Sequence, residues 1–392
     1  METGKRLRKL QTSNTIVSQR QRLLKSVLVF GANANGKTNL IKALLMLKRL
    51  VINPTTDELQ HLNTDTFGYN KENSKFEISF IANEQQYDYL LEYNSDEVVH
   101  EKLVTAGQVI FNRQKQNFVT IPTQLRALTE NVRKNQLLLY FAQQNNEKFA
   151  KAVYKWFVED LIIVSTDRIK NEQFKMLQDE SFKTRFLHFL QAADFNIVDV
   201  EVKERDEKIP IPAFLLKQLN SESETDEEIK YMHSVSYDVY ATHQAENGSF
   251  SVYFNNESTG TQVFMFLALY MLSNSEKTLM IDEFDRSYHL ELAQALLRLI
   301  NNAHQTNQFI LTTHELSLLD AGLRQDQIWF AEKNRFGESE LFSIFDFDDP
   351  ALKRSDFNYK KRYLEGVYGA TQLVNNKLLL EALIGNEQRE AK

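Results

Sequence analysis

The sequence of 392 residues predicts an α/β fold with a mixed sheet, an antiparallel β-subdomain and a helical insertion. Three observations predict this fold class. From Gly260 onward, strands alternate with helices of about ten to fifteen residues, which is typical of a parallel sheet covered by helices. Before residue 121, short apolar strands follow one another across polar turns. Between Gly107 and Gly248 there is no glycine, and apolar residues recur there at helical spacing.

The elements follow in chain order. The strand at 26–30 and the helix after it precede an antiparallel meander at 75–82, 87–93, 98–104 and 109–112. Helices are predicted at 124–141, 147–161 and 182–193, followed by a hairpin of strands at 236–241 and 249–254. The last part alternates helix 262–272, strand 278–282, helix 290–302 and strand 309–313. We therefore expect one lobe at 1–121, a helical lid or recognition insertion at 122–235 and a second lobe at 236–392.

Composition excludes several classes of protein. A hydrophobic content of 42% with 27 Phe supplies a core, which excludes wholesale disorder. The net charge of −7 gives no global attraction to nucleic acid or anionic lipid. The absence of cysteine excludes disulfides and thiolate chemistry. The longest apolar run, 263–272, is about half of a membrane-spanning length, and the basic amino terminus lacks the apolar core of a secretory signal. We expect no membrane segment and a cytoplasmic location.

The strongest motif is Gly-Ala-Asn-Ala-Asn-Gly-Lys-Thr at residues 31–38, the phosphate-binding loop. It follows an apolar strand and begins a helix with one apolar face, which is the context that such a loop requires. Glycines let the backbone N–H groups converge on a phosphate at the start of the helix. The candidate nucleotide-binding residues are Gly31, Asn33, Asn35, Gly36, Lys37 and Thr38, with Lys37 on the β and γ phosphates and Thr38 on magnesium. The alternative is a glycine turn with a chance Lys-Thr pair.

Two acidic residues end the apolar strand at 278–282. Asp282 fits the carboxylate that completes a magnesium site, and Glu283 fits the base that activates water. Acidic residues also end strands merely because they are solvated, so the assignment depends on the loop at 31–38.

His314 ends the next apolar strand, at 309–313. An imidazole beside the phosphate site can hydrogen-bond the terminal phosphate and take part in catalysis. The alternative is a surface or capping histidine.

Ser258 and Gly260 precede the helix at 262–272. Serine and glycine at a helix start form an N-cap, and the same arrangement binds phosphate. If these residues bind phosphate, they can complete the nucleotide site of a partner subunit.

The order of these motifs resembles the ABC-type ATPase heads of the SMC, RecF and OLD group. The segments 31–38, 257–262, 281–289 and 363–370 look more narrowly like AAA-family ATPases of bacterial abortive-infection and anti-phage systems. The resemblance implies a P-loop ATPase that binds ATP and Mg²⁺ and assembles as a homodimer or higher oligomer. Ser258 and Gly260 would contact the γ-phosphate across a head-to-head dimer, with residues 287–289 in the interface. The family's opening strands are replaced by a short basic segment, so no adenine-stacking residue is assigned.

The predicted function is that of an ATPase component of a phage-defence or abortive-infection system, acting on a partner nuclease or toxin. One alternative is a DNA repair or processing ATPase of SMC or RecF type, although the long heptad insertion of an SMC protein is missing. Another is a nucleotide-gated scaffold with little hydrolysis. Basic residues in 122–235 allow nucleic-acid binding, but acidic residues are comparably frequent there, which favours an ordinary solvated surface.

Overall fold

The computed structural model describes residues 1–4, 7–18, 21–164, 171–210, 231–286, 288–347, 357–368 and 375–384. The strands are β1 Thr15–Ser18, β2 Gln21–Leu24, β3 Ser26–Phe30, β4 Ser74–Ala82, β5 Gln85–Tyr93, β6 Val98–Thr105, β7 Gln108–Gln114, β8 Asn117–Thr120, β9 Leu161–Val164, β10 Ile197–Pro210, β11 Tyr231–Ala245, β12 Gly248–Tyr253, β13 Thr278–Ile281, β14 Gln308–Thr312, β15 Ile328–Lys333 and β16 Ser339–Ser343. The helices are α1 Lys37–Ile52, α2 Leu138–Gln144, α3 Lys148–Lys155, α4 Asn171–Lys175, α5 Glu180–Gln191, α6 Thr259–Ser273, α7 Leu290–Ile300, α8 Tyr359–Leu364 and α9 Asn376–Ile384.

A six-stranded sheet in the order β16-β15-β3-β14-β13-β9 forms the centre of the fold. The strands β15, β3, β14, β13 and β9 pair in parallel, and β16 is an antiparallel edge strand. Every residue of β3 is buried, as expected for a strand covered on both faces. The carboxyl ends of the parallel strands therefore lie along one edge of the sheet.

The central sheet separates two hydrophobic cores. Along β13, Leu279 and Ile281 belong to a core with α5, α6 and α7, whereas Met280 belongs to a core with α1 and the meander. This alternation follows from the two-residue period of a strand. The sheet edge that carries the motif residues is thus held between two packed layers.

The predicted meander and hairpin are confirmed. Strands β4 to β8 form an antiparallel sheet in sequence order. Strands β11 and β12 pair from Tyr240 and Tyr253 to Ala245 and Gly248, which places the turn at 246–247 as predicted.

Segment 122–235 contains more strand than the helical prediction for it. It includes β9, a run of Leu-Ile-Ile-Val that pairs with β13, and β10, which pairs with β11. In β10, charged and apolar residues alternate over part of the strand, a pattern with the period of a strand. The acidic stretch at 221–228 lies outside the described residues, and the division of the chain at 122 and 235 stays a prediction.

The predicted helix at 124–141 is wrong up to residue 137, because a 3₁₀ helix at Thr123–Asn131 is followed there by a loop, and α2 begins only at Leu138. The guanidinium of Arg113 explains the interruption, because it donates hydrogen bonds to backbone carbonyl oxygens that would accept N–H groups in a continuous helix. It donates to the carbonyl oxygens of Gln136 at 2.6 Å and Arg133 at 3.0 Å. The carboxylate of Glu101 accepts hydrogen bonds from the first N–H groups of α2, those of Leu138 at 2.6 Å and Leu139 at 2.8 Å.

The segment before β3 also differs from the prediction. It is not only a short basic stretch, because β1 and β2 form an antiparallel hairpin there. Their alternating apolar side chains are few, so the sequence carried little signal for them.

We expect Glu101→Leu to lower the free energy of unfolding by about 3–5 kcal/mol, because it leaves the buried Arg113 cation without its cross-strand carboxylate. Chemical denaturation measures this loss. The more exposed pair of Glu97 with Lys115 provides the control, and Glu97→Gln should cost less than about 1 kcal/mol. The double variant E101L/R113M should also be less stable than the wild type, because the backbone groups that both side chains bind lose their partners. Equal stability of E101L and wild type would contradict this account.

Candidate nucleotide-binding site

The loop at 31–38 requires glycine at both of its ends. Gly36 caps α1 with φ 95°, a left-handed conformation that glycine adopts without strain. A β-carbon on Gly36 would overlap the hydroxyl of Ser339, and one on Gly31 would lie 2.6 Å from the carbonyl oxygen of Ala331. The close approach of the loop to β15 and β16 therefore fixes these two positions as glycine.

The two asparagines of the loop have different surroundings. The Asn35 side-chain amide donates to the carbonyl oxygen of Ala331 at 3.1 Å and so ties the loop to β15. Asn33 is exposed at the top of the loop. Thr38 is half-buried in the first turn of α1, at the helix terminus that favours anions.

Lys37 is buried and held by the loop itself. Its ammonium donates to the carbonyl oxygens of Gly31 at 2.7 Å and Ala32 at 3.0 Å. Burial lowers the pKa of Lys37, and the carboxylates of Glu283 and Asp282 oppose this decrease. A poorly hydrated cation held by neutral carbonyls can exchange those partners for phosphate oxygens, which carry charge.

The two acidic residues after β13 are oriented by Thr312 at the end of β14. The Thr312 hydroxyl donates to the carboxylate of Asp282 and accepts the backbone N–H of Glu283 at 2.7 Å. Glu283 has φ 48°, a strained conformation for a residue with a side chain. Thr312 was missed by sequence reasoning, although the pairing of Ile281 with Leu311 places it opposite Asp282.

His314 lies between the loop lysine and the acidic residues. Its Nδ1 lies 3.3 Å from Lys37 Nζ, and its Nε2 lies 3.3 Å from Glu283 Oε1. Arg286, also missed by sequence reasoning, donates to Glu283 Oε2 at 3.0 Å. The structure thus brings Lys37, His314 and Glu283 together at one edge of the central sheet.

Ser258 and Gly260 are not part of this cluster within one chain. The Ser258 hydroxyl accepts the N–H of Thr261 at 3.1 Å and caps α6. Among the described residues, no hydrogen bond joins Ser258 or Gly260 to the loop at 31–38. Ser258 is exposed and Gly260 half-buried. Residues 287 and 369–370, which the resemblance also involved, lie outside the described residues.

The chemistry of the site suits a magnesium–phosphate complex. The hydroxyl of Thr38 and the carboxylate of Asp282 are hard oxygen donors, which Mg²⁺ prefers. Within the described ranges, no group of three or more His, Cys, Asp or Glu side chains could hold a metal ion. Mg²⁺ commonly binds through one or two protein ligands together with water and phosphates, so the two donors fit this role.

In the same described ranges, no helix is both long enough and apolar enough to cross a bilayer.

Comparison with known proteins places these features in a family. A family model described as AAA domain, putative AbiEii toxin, Type IV TA system, matches residues 26–320. No curated protein matches the chain. The chain is similar to the solved SMC head domain from Thermotoga maritima, with 14% identity, a TM-score of 0.37 and coverage of 84% of this chain and 95% of that chain. It is also similar to an SMC head bound to the C-winged helix domain of ScpA, with 12% identity, a TM-score of 0.41 and coverage of 82% of this chain and 91% of that chain. A third similar structure is the SMC head with an extended coiled coil from Pyrococcus furiosus, bound to the C-terminal domain of ScpA, with 13% identity, a TM-score of 0.36 and coverage of 83% of this chain and 92% of that chain. The family match and the strand order confirm the predicted fold class.

Proposed function

This chain belongs to the AAA domain family described as putative AbiEii toxin, Type IV TA system, and we propose that it binds and hydrolyses ATP with Mg²⁺. The observation that carries the proposal is the contact of His314 with both Lys37 and Glu283. These are the groups that neutralise a terminal phosphate and activate water. Their convergence at the end of β14 supports a hydrolytic site.

Each residue has a distinct role in the proposed reaction. The backbone N–H groups of 31–38 and the Lys37 ammonium hold the phosphates. Thr38 and Asp282 would hold Mg²⁺, which when bound neutralises charge on the β and γ phosphates. Glu283 accepts a proton from the attacking water while the bond between the terminal phosphorus and the bridging oxygen breaks. The products are phosphate and ADP.

The contacts of the chain suggest how nucleotide binding prepares the base. Both carboxylate oxygens of Glu283 have partners, His314 on one and Arg286 on the other. A terminal phosphate attracts Lys37 and His314 because both can donate hydrogen bonds to it. The movement of His314 then leaves one oxygen of Glu283 available to water.

We further propose that a second copy of the chain completes the site through Ser258 and Gly260. The support is that both residues lie at the start of α6 without a bond to their own phosphate-binding loop, in the described part of the chain. A helix start with free N–H groups favours an anion. Head-to-head pairing would bring this helix start to the terminal phosphate of the partner.

Mixing subunits that carry Lys37→Ala with subunits that carry Ser258→Arg tests the shared site. Each variant alone should be inactive, whereas a mixed dimer has one intact site. Random exchange of subunits makes about half of the dimers mixed, and each mixed dimer has one intact site out of two. The mixture should therefore recover about a quarter of the wild-type hydrolysis rate. A mixture that stays inactive, although mass spectrometry shows mixed dimers, would indicate a site built within one chain.

The purpose we propose is control of a partner effector, a nuclease or other toxin, in a phage-defence or abortive-infection system. The support is the family description. Expression with the neighbouring gene in a phage-sensitive host should reduce plaque formation, and Lys37→Ala should remove the protection.

Protection that survives Glu283→Gln would favour a nucleotide-gated scaffold. No protection against a broad phage panel, with DNA processing by the purified protein, would favour the repair-type alternative.

A further inference from the structure

The hairpin of β15 and β16 borders the phosphate-binding loop. Because β15 pairs in parallel with β3, with Phe330 opposite Phe30, the turn at 334–338 lies at the same sheet edge as the loop. Two close approaches join them directly. Asn35 donates to the carbonyl oxygen of Ala331, and Gly36 lies against Ser339. The turn is therefore next to any nucleotide whose phosphates bind at 31–38.

The strand order indicates which part of a nucleotide would reach this hairpin. Glu283 and His314 follow β13 and β14, on one side of β3, and they mark the position of the terminal phosphate. The hairpin lies on the other side of β3. From β13 to β15 there are three strand spacings, or about 14 Å, a distance that an extended nucleoside triphosphate can span. The base of a nucleotide whose phosphates bind at 31–38 would therefore extend toward the turn at 334–338.

The turn has a fixed conformation. The side-chain oxygen of Asn334 accepts the N–H groups of Phe336 at 2.9 Å and Glu338 at 3.1 Å. The backbone of Asn334 pairs with that of Glu338 at 2.9 Å. Gly337 has φ 91°, which favours glycine. These bonds define the geometry of the turn.

Two exposed aromatic rings lie at this turn, Phe336 within it and Phe67 against it. The ring of Phe67 rests on Gly337, where an added β-carbon would lie 3.0 Å from it. Phe67 is 56% exposed and Phe336 is 67% exposed. The guanidinium of Arg335 lies 4.6 Å from the centre of the Phe336 ring. Exposed phenylalanines beside a phosphate-binding loop offer flat apolar surfaces on which a base can stack.

We propose that Phe67 and Phe336 form the site for the nucleoside base of ATP. This inference rests on the proposed function, because it requires the phosphates to bind at 31–38. Stacking on an aromatic ring accepts any base, so the site holds the nucleotide without selecting adenine by hydrogen bonds. Gly337 lets the Phe67 ring lie against the turn, since a side chain there would displace the ring.

Binding of ATP and of inorganic tripolyphosphate, each with Mg²⁺, tests this site. Tripolyphosphate has the phosphates of ATP but no base. F67A/F336A should weaken ATP binding by at least about fivefold, since stacking of one base contributes that much or more, and should leave tripolyphosphate affinity unchanged. F67W should retain ATP affinity. The exposed Phe250 of β12 gives the control, and F250A should change neither ligand.

The other outcomes separate the two proposals. Unchanged ATP affinity in F67A/F336A would overturn the base site and leave the proposed function intact. Loss of both ligands in that folded variant would also overturn it, because the rings would then support the loop. Failure of the wild-type protein to bind either ligand would overturn the proposed function and the base site together.

Discussion

Lys37→Met is expected to weaken binding of ATP by about a hundredfold or more. The ammonium of Lys37 is the buried cation of the phosphate-binding loop, and charge-assisted hydrogen bonds contribute about 1.5–3 kcal/mol each. Methionine keeps the apolar stem in its buried position, so the fold should persist. Calorimetric titration with MgATP measures the loss.

Lys42, an exposed residue of α1, provides the control for Lys37. Lys42→Met removes one positive charge from the same helix and should leave ATP affinity nearly unchanged. If Lys37→Met retained tight binding of ATP in a folded protein, the assignment of the phosphate-binding loop would be wrong.

Glu283→Gln is expected to separate binding from hydrolysis. Glutamine preserves size and can still contact His314 and Arg286, but it cannot accept the proton of water. The hydrolysis rate should fall by about 10²–10⁴-fold, the usual contribution of a general base, while ATP affinity stays close to that of the wild type. The variant should accumulate as an ATP-bound dimer or larger assembly, which light scattering detects.

Glu291 offers a comparison for Glu283 because it is an exposed acid in the first turn of α7. Glu291→Gln should hydrolyse ATP at the wild-type rate. Unchanged hydrolysis in Glu283→Gln would move the role of the base to another group, with His314 the next candidate.

Much of the central sheet and the phosphate-binding loop could be predicted from sequence. The strands that contain Ile281 and Leu311 are short apolar runs, and each is followed directly by polar residues. Since the carboxyl ends of parallel strands share one edge, the local pattern also predicted that Asp282, Glu283 and His314 would lie near the loop.

The residues that sequence reasoning missed depend on backbone geometry that a linear pattern does not show. Thr312 orients Asp282 through the register of two strands, and Arg286 reaches Glu283 through a turn whose strained φ no pattern indicated. The segment before α2 is a loop because the Arg113 guanidinium binds its carbonyl oxygens, which are then not available to a helix. Helical periodicity could not show this competition, since local preferences are weak relative to a buried charge network.

The most direct test of the central claim is phosphate release from ATP by the wild-type protein, beside Lys37→Met and Glu283→Gln, with Mg²⁺ and with EDTA. We expect steady release by the wild type that EDTA abolishes, and release near background by both variants, although Glu283→Gln still binds ATP. Equal release by all three proteins, or none by a wild type that binds ATP, would contradict hydrolysis at this site.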